Sequence, residues 1–240
     1  MENLKDQVAI VTGATRGIGF AIARMLLQQE SAVVICGRRQ DSVDRAVRDL
    51  ARETGGKVTG KAADVRAYDD VRSLFEFADQ QHGKLDVLVN NAGVGVFNPI
   101  LELSIQDWKD TIETNLSGVF FCTREALFRF KSGTEGGGSV VNISSLAGKN
   151  PFAGGAAYNA SKFGLTGFSE AVMLDERYHN VRVSYIMPGS VATEFGHSSI
   201  DDSEWKIWPE DIAEIVRMLL LMPKRTLISR VEVRPTRPKR

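Results

Sequence analysis

Short runs rich in β-branched and other apolar residues recur along the chain at Val8–Val11, Ala32–Cys36, Leu85–Val89, Ser139–Ser144 and Val181–Ile186. They are the length of strands, and the first, Val-Ala-Ile-Val, has the continuous apolar character of a strand buried on both faces. Lys57–Ala63 and a segment near Leu227–Val233 complete a set of seven. Between them apolar residues recur at three- and four-residue spacing, which predicts helices. One follows a glycine-rich turn as far as Gln28. Others cover Val43–Glu53, Val71–His82 and Ile105–Phe130, the last with Trp108, Ile112, Leu116, Val119 and Phe120 in phase. A helix carrying Tyr158 runs to about Tyr178, and one beginning at Pro209 runs to about Met222. Strands alternating with helices predict an α/β fold: a doubly wound, parallel, seven-stranded sheet with right-handed crossovers. No repeat or linker divides the chain, so residues 1–240 are expected to form a single domain. The irregular stretch 190–208, which contains Phe195, His197, Trp205 and Trp208, is expected to be a lid over the ligand. His197 stands alone, which suits a surface or packing role better than catalysis.

Composition removes several classes of function. Lys plus Arg equals Asp plus Glu at 30 each, so no global charge favours nucleic acid or an anionic surface. The basic segment Arg234–Arg240 reads as a solvated tail. The two cysteines, Cys36 and Cys122, lie in apolar runs without metal-ligand spacing, which predicts buried free thiols, a reducing compartment and no metal. The opening MENLKDQVAIV lacks the shape of a secretory leader, and no apolar run could span a bilayer. The expectation is a cytoplasmic protein without nucleic-acid or membrane partners.

The segment Thr12-Gly-Ala-Thr-Arg-Gly-Ile-Gly19 stands between the first strand and the first helix. A glycine cluster can be only a tight turn. Between a buried strand and a helix it also suits a pyrophosphate, held by backbone N–H groups and the helix N-terminus. The second strand ends in Gly37-Arg38-Arg39, where an NAD site would place an acid. Arg38 and Arg39, with Arg16 in the turn, suit a 2′-phosphate unless they are solvated surface charges, and so point to NADP(H). Asp64, at the end of the third strand, suits an adenine amino group or, equally, the cap of the next helix.

A second polar group centres on Tyr158 and Lys162, four residues apart and therefore on one helical face. Ser145 lies upstream, just beyond a strand. A phenol, an ammonium and a hydroxyl together can move a proton to or from a substrate oxygen. Asn115 is an amide in an otherwise apolar helix and must find partners, for which an interhelical hydrogen bond suffices. A stripe of small residues (Ala157, Ala160, Ser161, Gly164, Gly167) allows close packing, within the chain or against a second copy.

In these motifs, together with Asn90-Asn-Ala-Gly93 and Pro188-Gly189, the chain resembles the short-chain dehydrogenase/reductase family from Val8 to about Asp211. It is most similar in type to 3-oxoacyl-acyl-carrier-protein reductases. The resemblance implies a Rossmann fold and residue roles as follows. Tyr158 is the general acid in carbonyl reduction and the base in alcohol oxidation, and Ser145 holds the substrate oxygen. Lys162 binds the nicotinamide ribose and lowers the phenol pKa, and Asn115 holds a water that relays protons. The cofactor would lie against Gly13, Thr15, Arg16, Gly17, Ile18 and Gly19, with Arg38 and Arg39 at its phosphate and Asp64 and Val65 at its adenine. Asn91, Ala92 and Gly93 would line its ribose side, and Pro188, Gly189, Val191 and Thr193 its nicotinamide. The Pro188-Gly189 turn is expected to leave backbone groups free for a ligand. The expected reaction is NADP(H)-dependent reduction of a carbonyl, of 3-oxoacyl type or another; the alternatives are a 3-hydroxy acid or alcohol dehydrogenase and a non-catalytic dinucleotide sensor. The expected partners are a small carbonyl or alcohol substrate and further copies of the chain, as a homotetramer or homodimer. Val94, Val96, Leu146, Phe152, Phe195 and Trp205 are candidates for the substrate pocket.

Overall fold

The computed structural model of the chain describes residues 4–132, 136–193, 195 and 204–238. Its strands are β1 (Val8–Val11), β2 (Ala32–Gly37), β3 (Val58–Ala62), β4 (Val87–Asn90), β5 (Gly138–Ile143), β6 (Val181–Pro188) and β7 (Arg230–Val233). They form one parallel sheet in the order β3-β2-β1-β4-β5-β6-β7. Its helices are α1 (Gly17–Gln28), α2 (Gln40–Thr54), α3 (Tyr68–His82), α4 (Ile105–Ile112), α5 (Gly118–Ser132), α6 (Ala156–Glu176) and α7 (Pro209–Leu220). The doubly wound, Rossmann-type sheet expected from the patterning is the one found. The strand order turns at β1 and β4, and the crevice beyond their carboxyl ends is where such sheets bind ligands.

Alternation along each strand divides the core in two. Ala9, Val11, Val33 and Ile35 point to the face covered by α1, α2 and α7. Ile10, Val34, Cys36 and Leu88 point to the face covered by α3 and α5. Every residue of β1 and β4 is buried, which is why those segments are apolar without a period of two. Cys36 and Cys122 are buried free thiols. Burial pushes the Cys36 thiol up to about 11 and Cys122 well above its ordinary value. Among the described residues no helix is long and apolar enough to cross a membrane.

The continuous helix expected over Ile105–Phe130 is interrupted. A π-helical turn over Glu113–Ser117 separates α4 from α5. Two contacts hold the interruption. The Asn115 side chain is bonded to the chain after β4, and Gly118 packs so closely on Val65 that an added Cβ would lie 2.8 Å from Val65 Cγ2. Inserted π turns of this kind are common at functional sites. Helix α7 ends at Leu220, ahead of Pro223, which disfavours helix in the residue before it, and the Arg182 guanidinium binds the carbonyls of Leu220 and Met222. Strand β6 continues to Pro188, which pairs with Val233, and the Gly189 N–H donates to Val233 O at 2.8 Å. The Pro188-Gly189 turn therefore does not leave its one N–H free, since the edge strand β7 takes it. Within the expected lid, Val191 pairs with Ile207; His197 lies outside the described residues.

Three of the small residues on α6 are used within the chain: Ala157 and Ser161 are fully buried, and Gly164 packs on Leu116. Ala160 and Gly167 are exposed. Gly148 brings the turn after β5 against α6: a Cβ there would stand 2.6 Å from Lys162 O and 2.8 Å from Thr166 Oγ1. Gly148→Ala is expected to cost roughly 1–3 kcal/mol by overpacking. In a chain of this size that lowers the melting temperature by about 2–12 °C. An unchanged calorimetric melting temperature would show that α6 can yield at this contact.

Candidate active site

The glycine turn is fastened to the end of β4 by one side chain that the motif reading passed over. Thr12 Oγ1 accepts from the N–H groups of Asn91 and Ala92, each at 3.0 Å, and Asn91 Nδ2 returns bonds to Thr12 O at 2.9 Å and Gly13 O at 3.1 Å. The segments lie so close that a Cβ on Gly13 would be 2.8 Å from Ala92 Cα, and one on Gly19 would be 2.4 Å from Asn91 Nδ2. Gly13 and Gly17 also have φ of +62° and +58°, a region that glycine occupies without strain. Asn91 therefore acts as a brace between two strand ends. The N-cap of α1 is Arg16, whose side chain makes no cap bond, and its first turn has no acid. That leaves a helix N-terminus suited to an anion. Ile18 packs on the core, Thr15 lies against Gly37, and Gly17 faces Thr193.

The arginines separate in role. Arg39 precedes α2 and donates to Ser42 Oγ at 3.1 Å. Arg38, exposed at the end of β2, lies close enough to Asp64 to help lower its carboxyl pKa. The larger cause is Arg66, whose guanidinium grips both Asp64 oxygens at 2.6–3.0 Å and also reaches Asp110 at 2.5 Å. Asp64 does not cap α3. The N-cap is Ala67, and it is Asp70 that accepts from the Asp64 N–H. Val65 is buried under Gly118, so only its main chain can face an adenine.

On the other side of the crevice, the Ser145 hydroxyl lies close enough to Tyr158 to favour the phenolate. The Ser145 hydroxyl oxygen also accepts from Ala147 N at 3.1 Å. Lys162 Nζ donates to Ile143 O at 2.9 Å and lies 5.7 Å from the centre of the Tyr158 ring. The amide of Asn115 is used in full as a donor. Nδ2 binds Val94 O at 2.9 Å and Ser161 Oγ at 3.0 Å, and Oδ1 accepts from Val94 N at 2.8 Å. Ser161 in turn donates to Tyr158 O at 2.8 Å. The amide thus makes the interhelical bond that its residue type allowed. Gly93 lies between Asn115 and Lys162: a Cβ there would be 3.3 Å from Asn115 Oδ1 and 4.0 Å from Lys162 Nζ.

Burial governs the titration of this group. It raises the Tyr158 phenol, with Ser145 opposing it, and lowers Lys162 from 10.5 to about 8. Burial thus disfavours the charged form of both groups, and Ser145 is what opposes the rise of the phenol. Two rings flank the phenol and a third packs behind one of them. Phe97 meets Tyr158 edge-on at 5.5 Å, Phe195 lies at 5.7 Å, and Phe152 meets Phe97 at 5.5 Å. Phe152 and Phe195 were among the candidates for the substrate pocket. Phe97 was not, because it lies in a loop without periodicity, and its only signal was an aromatic residue four positions after Gly93. Trp205 instead lines a cavity of about 430 Å³ with Trp208, Val233 and Pro235. Among the described residues no three His, Cys, Asp or Glu side chains form a metal-binding group.

The Lys162 shift has a measurable consequence. Between about pH 8 and 10.5 the unfolded chain holds a proton that the folded chain has released, so folding stability rises with pH across that window. Relative to Lys162→Met, the wild type should gain up to roughly 3 kcal/mol over that range, read from urea unfolding at pH 7.5 and pH 10. Parallel profiles for the two proteins would show that Lys162 keeps an ordinary pKa.

Comparison with known proteins agrees with this geometry. The family model for short chain dehydrogenase matches residues 7–204. The chain is 37% identical over 216 residues to dehydrogenase/reductase SDR family member 4 of Oryctolagus cuniculus, covering 90% of this chain and 81% of that protein. A metagenomic short-chain oxidoreductase solved in complex with NADP superposes with a TM-score of 0.85 at 37% identity, over 99% of this chain and 100% of that one. A single-substitution variant of actinorhodin polyketide ketoreductase with NADPH gives 0.88 at 31%, over 98% of each chain. With Tyr158, Lys162 and Ser145 on one edge of the sheet, facing the glycine turn, the chain belongs to the short chain dehydrogenase family of oxidoreductases.

Proposed function

We propose that the protein is an NADP(H)-dependent carbonyl reductase in which Tyr158 delivers the proton. The observation that carries this reading is the buried Tyr158 phenol, with Ser145 near enough to influence it and buried Lys162 Nζ 5.7 Å from its ring centre. A phenol whose pKa is raised by burial holds its proton at neutral pH, the state a general acid needs. Ser145 positions the substrate oxygen, and the two hydroxyls stabilise the negative charge that grows there. Lys162 holds the nicotinamide ribose and supplies protons to Tyr158, and, since the Asn115 side chain is taken by Val94 and Ser161, a water connecting Lys162 to solvent would be held by the Asn115 main chain. When bound, NADP(H) exchanges the hydride and, oxidised, adds a positive charge beside the phenol. The first turn of α1, with Gly13 through Gly19, would hold its pyrophosphate, and Arg38 its 2′-phosphate. Asp64 and the main chain of Val65 would face its adenine, Asn91 to Gly93 its ribose, and Gly189, Val191 and Thr193 its nicotinamide. Residues 1–240 act as one domain with 190–208 as its lid. The NADP and NADPH complexes of the two structural relatives support the choice of cofactor. A cytoplasmic setting suits two buried free thiols. Exposed Ala160, Phe163 and Gly167 form an open stripe on α6, and Phe120 is exposed on α5, which supports self-association into a homodimer or homotetramer.

Tyr158→Phe is expected to reduce ketone turnover by at least ~100-fold, with NADPH binding, followed by fluorescence, unchanged. Full activity in that variant would refute the role of Tyr158, and tight NADPH binding without turnover of any carbonyl by the wild type would favour a sensor. Arg38→Gln should weaken NADPH binding by roughly tenfold or more, the worth of a hydrogen-bonded charge, and leave NADH unaffected. Equal losses for both cofactors would remove Arg38 from the phosphate site.

A further inference from the structure

We propose that the carbonyl reduced at Tyr158 is carried by a neutral aromatic ring, so that the natural substrates are aryl ketones or comparable ring-bearing carbonyl compounds. This rests on the carbonyl-reductase reading above. Phe97, Phe152 and Phe195 come from three separate segments of the chain: Phe97 and Phe195 lie against the Tyr158 ring, and Phe152 extends the cluster through its edge-on contact with Phe97. Two glycines make room for them. A Cβ on Gly95 would lie 2.6 Å from the Phe195 ring and 2.8 Å from that of Phe97, and one on Gly155 would lie 2.7 Å from Phe152. Although they are clustered, the three rings keep 42%, 45% and 37% of their surface exposed. An exposed apolar patch around a catalytic hydroxyl is the mark of a ligand site, and ring faces bind the edge of another ring better than a saturated group of equal area.

The charges nearby select against other occupants. An aromatic cage also attracts cations, but here Lys162 is a basic group at the base of the same site. An anionic carrier thioester would need cations at the rim. The loop from Leu146 to Gly155 has one, Lys149, and Glu232 already holds it at 2.8 Å. The loop from Val94 to Leu103 has one charged residue, the acid Glu102. Along these two described loops, neutral and aromatic is the chemistry favoured.

The test compares acetophenone with cyclohexyl methyl ketone, which have the same carbonyl and carbon count but differ in aromaticity. Binding is measured by titration calorimetry on the protein with NADP+, where no hydride is available, and turnover is measured with NADPH. The wild type should favour acetophenone by about tenfold in both, roughly 1.4 kcal/mol. Phe97→Leu and Phe152→Leu, which keep apolar volume, should each bring the ratio to within about twofold of unity. Equal binding of the two ketones by the wild type, or a ratio unchanged in both variants, overturns the proposal. So does a preference for an acetoacetyl thioester or a trimethylammonium ketone over acetophenone. Turnover of both ketones with no aromatic preference would leave the reductase reading intact and remove this one. An aromatic preference in binding, with no turnover, would support the ring site and count against the reductase.

Discussion

A single buried amide holds the two halves of the site together. Asn115 is fully buried and joins three segments far apart in sequence: the chain after β4 through Val94, the helical rod of α4 and α5, and α6 through Ser161. A buried amide without partners would cost several kcal/mol, so the helix gives up its regular geometry at this point and takes a π turn. Through Ser161 the same bond network reaches the main chain of Tyr158. The position of the phenol is thus fixed relative to Gly93 by hydrogen bonds of defined direction, which apolar packing alone would not provide.

The crevice has a different source of rigidity on its cofactor side. Four hydrogen bonds tie Thr12 and Gly13, after β1, to Asn91 and Ala92, after β4, and glycine is required there because the main chains nearly touch. One rim of the crevice is therefore set by backbone contact and the other by side chains on α6. Between them lies a buried titratable pair, Tyr158 and Lys162. Burial makes both unfavourable in their charged forms, so the site stores a proton on the phenol and yields one readily from the ammonium.

Much of this was legible in the sequence, for identifiable reasons. Buried parallel strands are apolar on both faces, so β1, β2 and β4 stood out, and the alternation of strand and helix fixed the topology through its handedness rule. Tyr158 and Lys162 were found because helical spacing places them on one face. The interruption at Asn115 was not foreseen, since the apolar period runs unbroken through Leu116 and Val119 and a π turn leaves no mark in it. The grip of Arg66 on Asp64 and Asp110 was missed because Asp110 lies in another element. The engagement of the Gly189 N–H was missed because it depends on β7, which is distant in sequence. In each case the missing information was a partner's position, which local pattern does not carry.

The order of strands across the sheet also bears on how the site comes into being. The first ninety or so residues of the chain contain β1 to β4, which are adjacent in the sheet and carry the glycine turn, Arg38 and Asp64. The wall opposite is closed last: Val233 at the end of β7 pairs with Pro188, and Pro235 abuts Gly189, which in turn lies against Leu146 beside Ser145. A chain emerging from the ribosome can thus assemble the nucleotide-facing side of the crevice well before the reactive side has its final wall.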